Sequence, residues 1–199
     1  MIKNIIFDFG DIFINLDKTA TPKAMSEFGF TEITPSLDHL FKAYEKGTIS
    51  TDVFLQETGA IFPNASKTDL IDAWNAILKD FPEYRLKFLQ EFKKQHNYRL
   101  FLLSNTNDLH IEEVKKQMGN AYTEFQNCFE VFYLSYNMGK RKPDADIFEQ
   151  VLQENNLIAE ETFFIDDTQE NTDTAAKLGM KTWNLLVGKE DIIDLKKHL

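Results

Sequence analysis

The chain has 199 residues, 43% of them hydrophobic, and a formal net charge of −10. That length suits one compact core with a small accessory unit, and the acidic balance argues against nucleic acid or an anionic membrane surface as the main partner. A single cysteine, Cys128, excludes an internal disulfide and fits a reducing cytoplasm; no run reaches the ~18 uncharged apolar residues of a membrane span.

The first apolar run, Asn4–Phe9 (NIIFDF), ends on Asp8-Phe9-Gly10-Asp11. Its hydrophobicity is continuous rather than alternating, the pattern of a strand covered on both faces. Residues 16–81 then carry helix signals and no convincing strand. Thr21-Pro22 opens one helix that Gly29 closes. Thr34-Pro35 opens a second, with Leu37, Leu40, Phe41 and Tyr44 at helical spacing and Gly47 at its end. Ser50 or Thr51 caps a third, ending near Gly59. Ser66 caps a fourth, with Asp69 in its first turn and Leu70, Trp74, Ile77 and Leu78 on one face. Four short helices after the first strand predict a small helical cap. Its aromatics, Phe28, Phe41, Tyr44, Phe54 and Trp74, are read as the cap's own core. Asp17 and Lys18 are read as a solvated linker.

Strand-like runs return at Tyr98–Leu103, Phe129–Leu134 and Thr162–Ile165, with a weaker one at Thr182–Val187. Between the later runs, Pro143 is placed at a first helical position ahead of Ile147, Phe148, Val151 and Leu152, and Thr172–Leu178 forms a helix stopped by Gly179. Strand alternating with helix predicts βαβ units. The expected fold is therefore α/β, a three-layer Rossmann-like parallel sheet core (1–15 and 82–199) with an inserted α-helical cap (16–81).

Open parallel sheets bind ligands beyond the carboxyl ends of their strands. Four runs are followed there by polar groups: Asp8 to Asp11, Ser104-Asn105-Thr106-Asn107, Gly139 to Pro143 including Lys142, and Asp166-Asp167 on to Asn171. Each has an ordinary reading as a turn, a helix cap or a solvated charge. Together they bring carboxylates, a hydroxyl, an amide and a lysine to one sheet edge. Clustered carboxylates repel unless a cation joins them, and hard oxygen ligands suit Mg²⁺. The set also meets the needs of phosphoryl transfer: a nucleophile, positive charge for the phosphoryl oxygens and neutral donors to orient them.

In motif order and spacing (FDFG, LLSNTN, MGKRKP, FFIDDTQEN) the chain resembles the haloacid-dehalogenase-like superfamily, and within it the bacterial sugar-phosphatase branch that includes an α-D-glucose-1-phosphate phosphatase. The resemblance implies magnesium-dependent hydrolysis of a small phosphate ester, a sugar phosphate first. It makes Asp8 nucleophile and metal ligand, and the Gly10 carbonyl a second ligand. Ser104 and the amide of Asn105 bind the phosphoryl group. Lys142 neutralises that group and Asp8. Asp167 binds metal directly, Asp166 acts through a water, and Asn171 organises the loop. One departure stands out. Most phosphatases of the superfamily carry a second Asp two residues after the nucleophile, as acid and base, and here that residue is Gly10. Asp11, one place later, is not expected to replace it. Two alternatives follow: a non-catalytic phosphometabolite- or partner-binding protein, and a haloacid dehalogenase, in which the Asp166-Asp167 pair would have no purpose.

Overall fold

A computed structural model describes residues 1–199. Five strands form one parallel sheet: β1 (Asn4–Phe7), β2 (Arg99–Ser104), β3 (Val131–Leu134), β4 (Thr162–Asp166) and β5 (Lys181–Asn184), in spatial order β3-β2-β1-β4-β5. The chain builds outward from β1 through β2 to β3, then returns to the other side of β1 for β4 and β5. The carboxyl end of β1 is therefore the switch point of the sheet, where ligands of such folds bind. Phe7 is in register with Leu102 and with Ile165, so Asp8 leaves the sheet between the ends of β2 and β4.

Strand side chains alternate between two apolar layers. Ile5, Phe7, Leu100, Leu102, Phe163 and Ile165 enter one core, which α5 (Glu83–Gln95), α6 (Asp108–Met118) and α7 (Asn120–Gln126) complete. Ile6, Phe101, Leu103 and Phe164 enter the other, covered by α9 (Ala145–Glu154) and α10 (Gln169–Lys177). These are the three layers expected from the continuous apolar runs.

Four helices lie between β1 and α5: α1 (Ala20–Ser26), α2 (Pro35–Glu45), α3 (Thr51–Ile61) and α4 (Lys67–Asn75). They share a separate apolar cluster that includes Met25, Leu37, Tyr44, Phe54 and Leu70, with Phe28, Phe41 and Trp74 packed against it. The aromatic stripes are thus internal to these helices, and Tyr44 stacks on Phe54 with ring centroids 4.2 Å apart. Helix entry follows the sequence signals at α2, α3 and α4, while α1 begins at Ala20, ahead of Thr21-Pro22 and without a side-chain cap. Thr34, Ser50 and Ser66 each accept a hydrogen bond from the first turn, and Ser66 with Asp69 closes a reciprocal capping box.

Helix ends differ more. The fourth helix stops at Asn75, so Ile77 and Leu78 lie beyond it; Leu78 instead makes an antiparallel bridge with Leu16 where the chain crosses back. The third continues to Ile61 because Gly59 is helical rather than terminating. Pro143 does not open a helix: α9 begins at Ala145, and Pro143 follows Lys142 through a cis peptide bond. The sequence pattern predicts no helix in the run after β2, yet α6 and α7 fill it.

The helical insert touches the sheet domain through specific polar contacts. The Ser135 hydroxyl in α8 (Ser135–Met138) contacts the carbonyls of both Glu45, at the end of α2, and Thr106 beyond β2, at 2.6 and 3.1 Å. At Gly47 the backbone has φ +65°, and any Cβ there would collide with the Tyr136 carbonyl. Only glycine satisfies both conditions at this crossing.

Candidate active site

Lys142 is the centre of the cluster. Its ammonium donates to Asp8 Oδ1 at 2.7 Å, to Asp166 Oδ2 at 2.6 Å and to the Leu103 carbonyl at 2.8 Å. All three ammonium donors are used, and Lys142 is 1% exposed. A long cationic side chain is buried here because two carboxylates and a carbonyl at strand ends surround it. Its backbone is fixed as well: the Asn105 side chain accepts from the Lys142 N–H at 2.9 Å and donates to the Lys142 carbonyl at 2.8 Å. The side-chain amide of Asn105 is therefore committed to holding the lysine loop. This differs from a direct phosphoryl contact through that side chain.

Asp8 follows β1 and is buried. Burial is the largest influence on its carboxyl and pushes it up to about 7, with Lys142 pulling down and the Asp166 charge pushing up. Asp166 ends β4 and is fully buried. Its oxygens accept from Lys142, from the Thr168 N–H at 2.8 Å and from the Asn171 amide at 3.0 and 3.1 Å. Asn171, on the first turn of α10, thereby braces Asp166. Burial alone works against the Lys142 ammonium. Asp166 and Asp8 outweigh it, and the lysine is held above its usual range.

Asp167 sits one residue further and points to a different partner. Lys18 donates to Asp167 Oδ2 at 2.6 Å and approaches Asp11 Oδ2 at 3.1 Å. The residue read as a solvated linker thus reaches the acidic cluster. No motif marks Lys18; it lies eleven positions past the end of β1 and meets Asp167, 149 positions later, only through the tertiary fold. Asp8, Asp166 and Asp167 present carboxylate oxygens within 4.8 Å of one another. Three hard oxygen donors with a single buried lysine beside them match the ligand preference of Mg²⁺.

Gly10 and Asp11 explain one another. Asp11 takes a left-handed conformation with φ 55°, and its Oδ1 accepts from the Leu16 N–H at 3.0 Å. With Lys18 on the other oxygen, both oxygens of Asp11 are engaged in the loop. A Cβ placed on Gly10 would lie 2.8 Å from Leu16 Cδ1 and 3.8 Å from Asp8 Oδ2. The Leu16 side chain therefore fills the space beside Asp8 that a residue-10 side chain would take. Ser104, at the end of β2, lines a cavity of about 170 Å³ together with Gly10, Leu16, Asn105 and Glu45.

A larger open cleft of about 660 Å³ adjoins the cluster, bounded on one side by Asn105, Lys142 and Asn171 and on the other by α2. No helix of the chain is long and apolar enough to cross a membrane.

Known proteins share this architecture. The haloacid dehalogenase-like hydrolase family matches residues 2–179. A D-ribitol-5-phosphate phosphatase from Bacteroides thetaiotaomicron is 27% identical over 190 residues, 92% of this chain and 91% of that protein. A crystal structure of a family enzyme from Bacteroides thetaiotaomicron, in complex with magnesium and inorganic phosphate, superposes with a TM-score of 0.81 at 31% identity, covering 96% of this chain and 97% of that one. A predicted family hydrolase from Porphyromonas gingivalis gives 0.87 at 29% identity, covering 99% and 97%. With the match running through all four polar segments and most of the chain, the protein belongs to the haloacid dehalogenase-like hydrolases.

Proposed function

We propose that the protein hydrolyses small phosphate monoesters in a magnesium-dependent reaction, with Asp8 as nucleophile and sugar phosphates as the substrate class. The observation that carries this reading is the buried Lys142 bonded at once to Asp8 and Asp166, with Asp167 close by. The enzymes of known structure and activity reported above support both the phosphate ester and the metal.

An oxygen of Asp8 attacks phosphorus while the bond to the ester oxygen breaks, giving an aspartyl-phosphate and an alkoxide that takes its proton from solvent water. Water then cleaves that intermediate, releasing phosphate and restoring Asp8. Lys142 opposes the effect of burial on Asp8, favouring the ionised nucleophile, and offsets charge on the phosphoryl oxygens. Ser104 and the Asn105 backbone amide orient that group. Asn105 and Asn171 act through others, one holding the Lys142 backbone and one bracing Asp166. Asp8, the Gly10 carbonyl and Asp167 would hold magnesium, with Asp166 acting through a water, and the ion would supply positive charge at the phosphoryl group. Residues 16–81 serve as the cap over a core of 1–15 and 82–199.

With glycine at position 10 and Asp11 turned away, no carboxylic acid stands ready to protonate the leaving oxygen. An anomeric phosphate leaves as a hemiacetal oxygen, more acidic than a simple alcohol, so sugar 1-phosphates are the first substrates in order. The test is phosphate release from sugar 1-, 5- and 6-phosphates, a sugar-alcohol phosphate and an aryl phosphate, with and without Mg²⁺. Release that requires Mg²⁺ and disappears in Asp8→Asn supports the reading. Tight ester binding without turnover would instead make the protein a phosphometabolite binder, and chloride release from haloacids in chelator would make it a dehalogenase.

A further inference from the structure

The net charge of −10 poses a problem for a protein that binds an anionic ester. Among the side chains that line the open cleft beside the cluster, cations outnumber acids. One wall is the solvent face of α2, where His39 and Lys42, with Lys46 just past the helix end, recur at helical spacing opposite the buried Leu37 and Tyr44. The other wall is the loop carrying Arg141 and Lys142. Against four lysine and arginine side chains the cleft sets only two acids, Asp144 and Glu170, and a single hydrophobic residue lines it.

These cations are only partly engaged. Lys42 pairs with Asp38 on its own helix at 2.6 Å, with both side chains about half exposed. Lys46 reaches Asp144 at 2.9 Å, also in partial contact with solvent. Such exposed pairs are weak and leave further ammonium donors free. Arg141 donates through Nε to Glu45 at 2.9 Å, and its two terminal nitrogens remain for another acceptor. Lys142, by contrast, has spent its donors inside the cluster. The cationic stripe of α2 and the Arg141 fork thus line the cleft beyond the buried Lys142 ammonium.

We propose that this cleft is a second anion subsite, and that the preferred substrate is a phosphate monoester whose alcohol part carries another anionic group, a carboxylate or a second phosphate. This deepens the phosphatase reading and rests on it. With a single hydrophobic residue in the lining, the cleft favours a polar leaving group over a hydrocarbon one, and a polyhydroxylated chain bearing a terminal anion matches its polar and cationic side chains.

The experiment compares kcat/KM, in Mg²⁺, for a hexose 1-phosphate, the matching 1,6-bisphosphate, the matching uronic acid 1-phosphate and an aryl phosphate. The expected result is a preference of about tenfold or more for at least one doubly anionic ester over the neutral hexose ester, of the size one charge-assisted contact gives. The two anionic arms tell phosphate from carboxylate. Lys42→Met and Lys46→Met should each reduce that ratio, and added salt should shrink it. Hydrolysis of the aryl ester with equal rates on neutral and doubly anionic sugars would overturn the subsite while leaving the phosphatase intact. No hydrolysis of any ester would overturn both.

Discussion

Lys142 Nζ lies 2.7 Å from Asp8 Oδ1, and this contact joins the residue that directly follows the first strand to one 134 positions later. Breaking a buried pair from one side strands the other charge. Lys142→Met should abolish turnover and cost about 3–5 kcal/mol of stability, read by denaturant unfolding. Asp8→Asn should behave differently. Turnover should vanish, yet in chelator at pH 8 the melting temperature should equal or exceed wild type. The folded carboxyl is raised by burial to about 7, so ionising it opposes folding as pH rises from about 4 through 7. A substantially lower Tm for Asp8→Asn would contradict that balance.

Leu16 beside Gly10 gives a second prediction. The predicted clash of a new Cβ is with the end of a flexible side chain, and the backbone at residue 10 is not left-handed. Gly10→Asp combined with Leu16→Ala should therefore fold and supply the missing acid. Turnover on simple alkyl phosphates should rise about tenfold or more, short of the ~10²–10⁴-fold that an optimised acid–base residue gives. An unchanged ratio of alkyl to sugar 1-phosphate turnover would remove the leaving-group argument.

Lys18 and a metal ion compete for the same carboxylate, since Lys18 bonds Asp167 at 2.6 Å. Lys18→Met should tighten Mg²⁺ binding by about two- to fivefold, the range of an exposed ion pair. Asp167→Asn should weaken it by about tenfold or more. Calorimetric titration of Mg²⁺ reads both directly. Equal affinity in all three proteins would place the metal away from Asp167.

His110 provides a pH signature outside the cluster. Its ring stacks on Trp74 with centroids 5.3 Å apart, and Nε2 lies 3.1 Å from the Trp74 carbonyl. Burial lowers its pKa from 6.5 to about 4, with the carbonyl contact pulling weakly the other way. The unfolded chain then binds a proton that the folded chain refuses. The stability this histidine confers is full above pH 6.5 and is lost as pH falls toward 4. Thermal melts of wild type and His110→Gln across that window should show a shallower acid loss in the variant. Parallel curves would show that another group controls the acid limb.

Much of this protein is legible from the order of its residues. The continuous apolar runs mark strands covered on both faces, and all five recur in the sheet with small shifts at their ends. Thr34, Ser50 and Ser66 act as the helix caps their chemistry suggests, because capping is a local bond within one turn. The polar segments after the runs fall at one sheet edge because every strand is parallel. What depends on distant parts of the chain is not legible in the same way. Leu16 filling the space at Gly10, Asn105 gripping the Lys142 backbone and Lys18 reaching Asp167 all join residues whose proximity is set by packing, not by spacing. The direction of each side chain is likewise decided there. The sequence alone determines the fold class and the edge on which chemistry is placed, since periodicity and capping are local. Only the tertiary structure decides which donors are already spent, which cations line the open cleft, and how burial sets the charge of Asp8, because desolvation and pairing are properties of the assembled core.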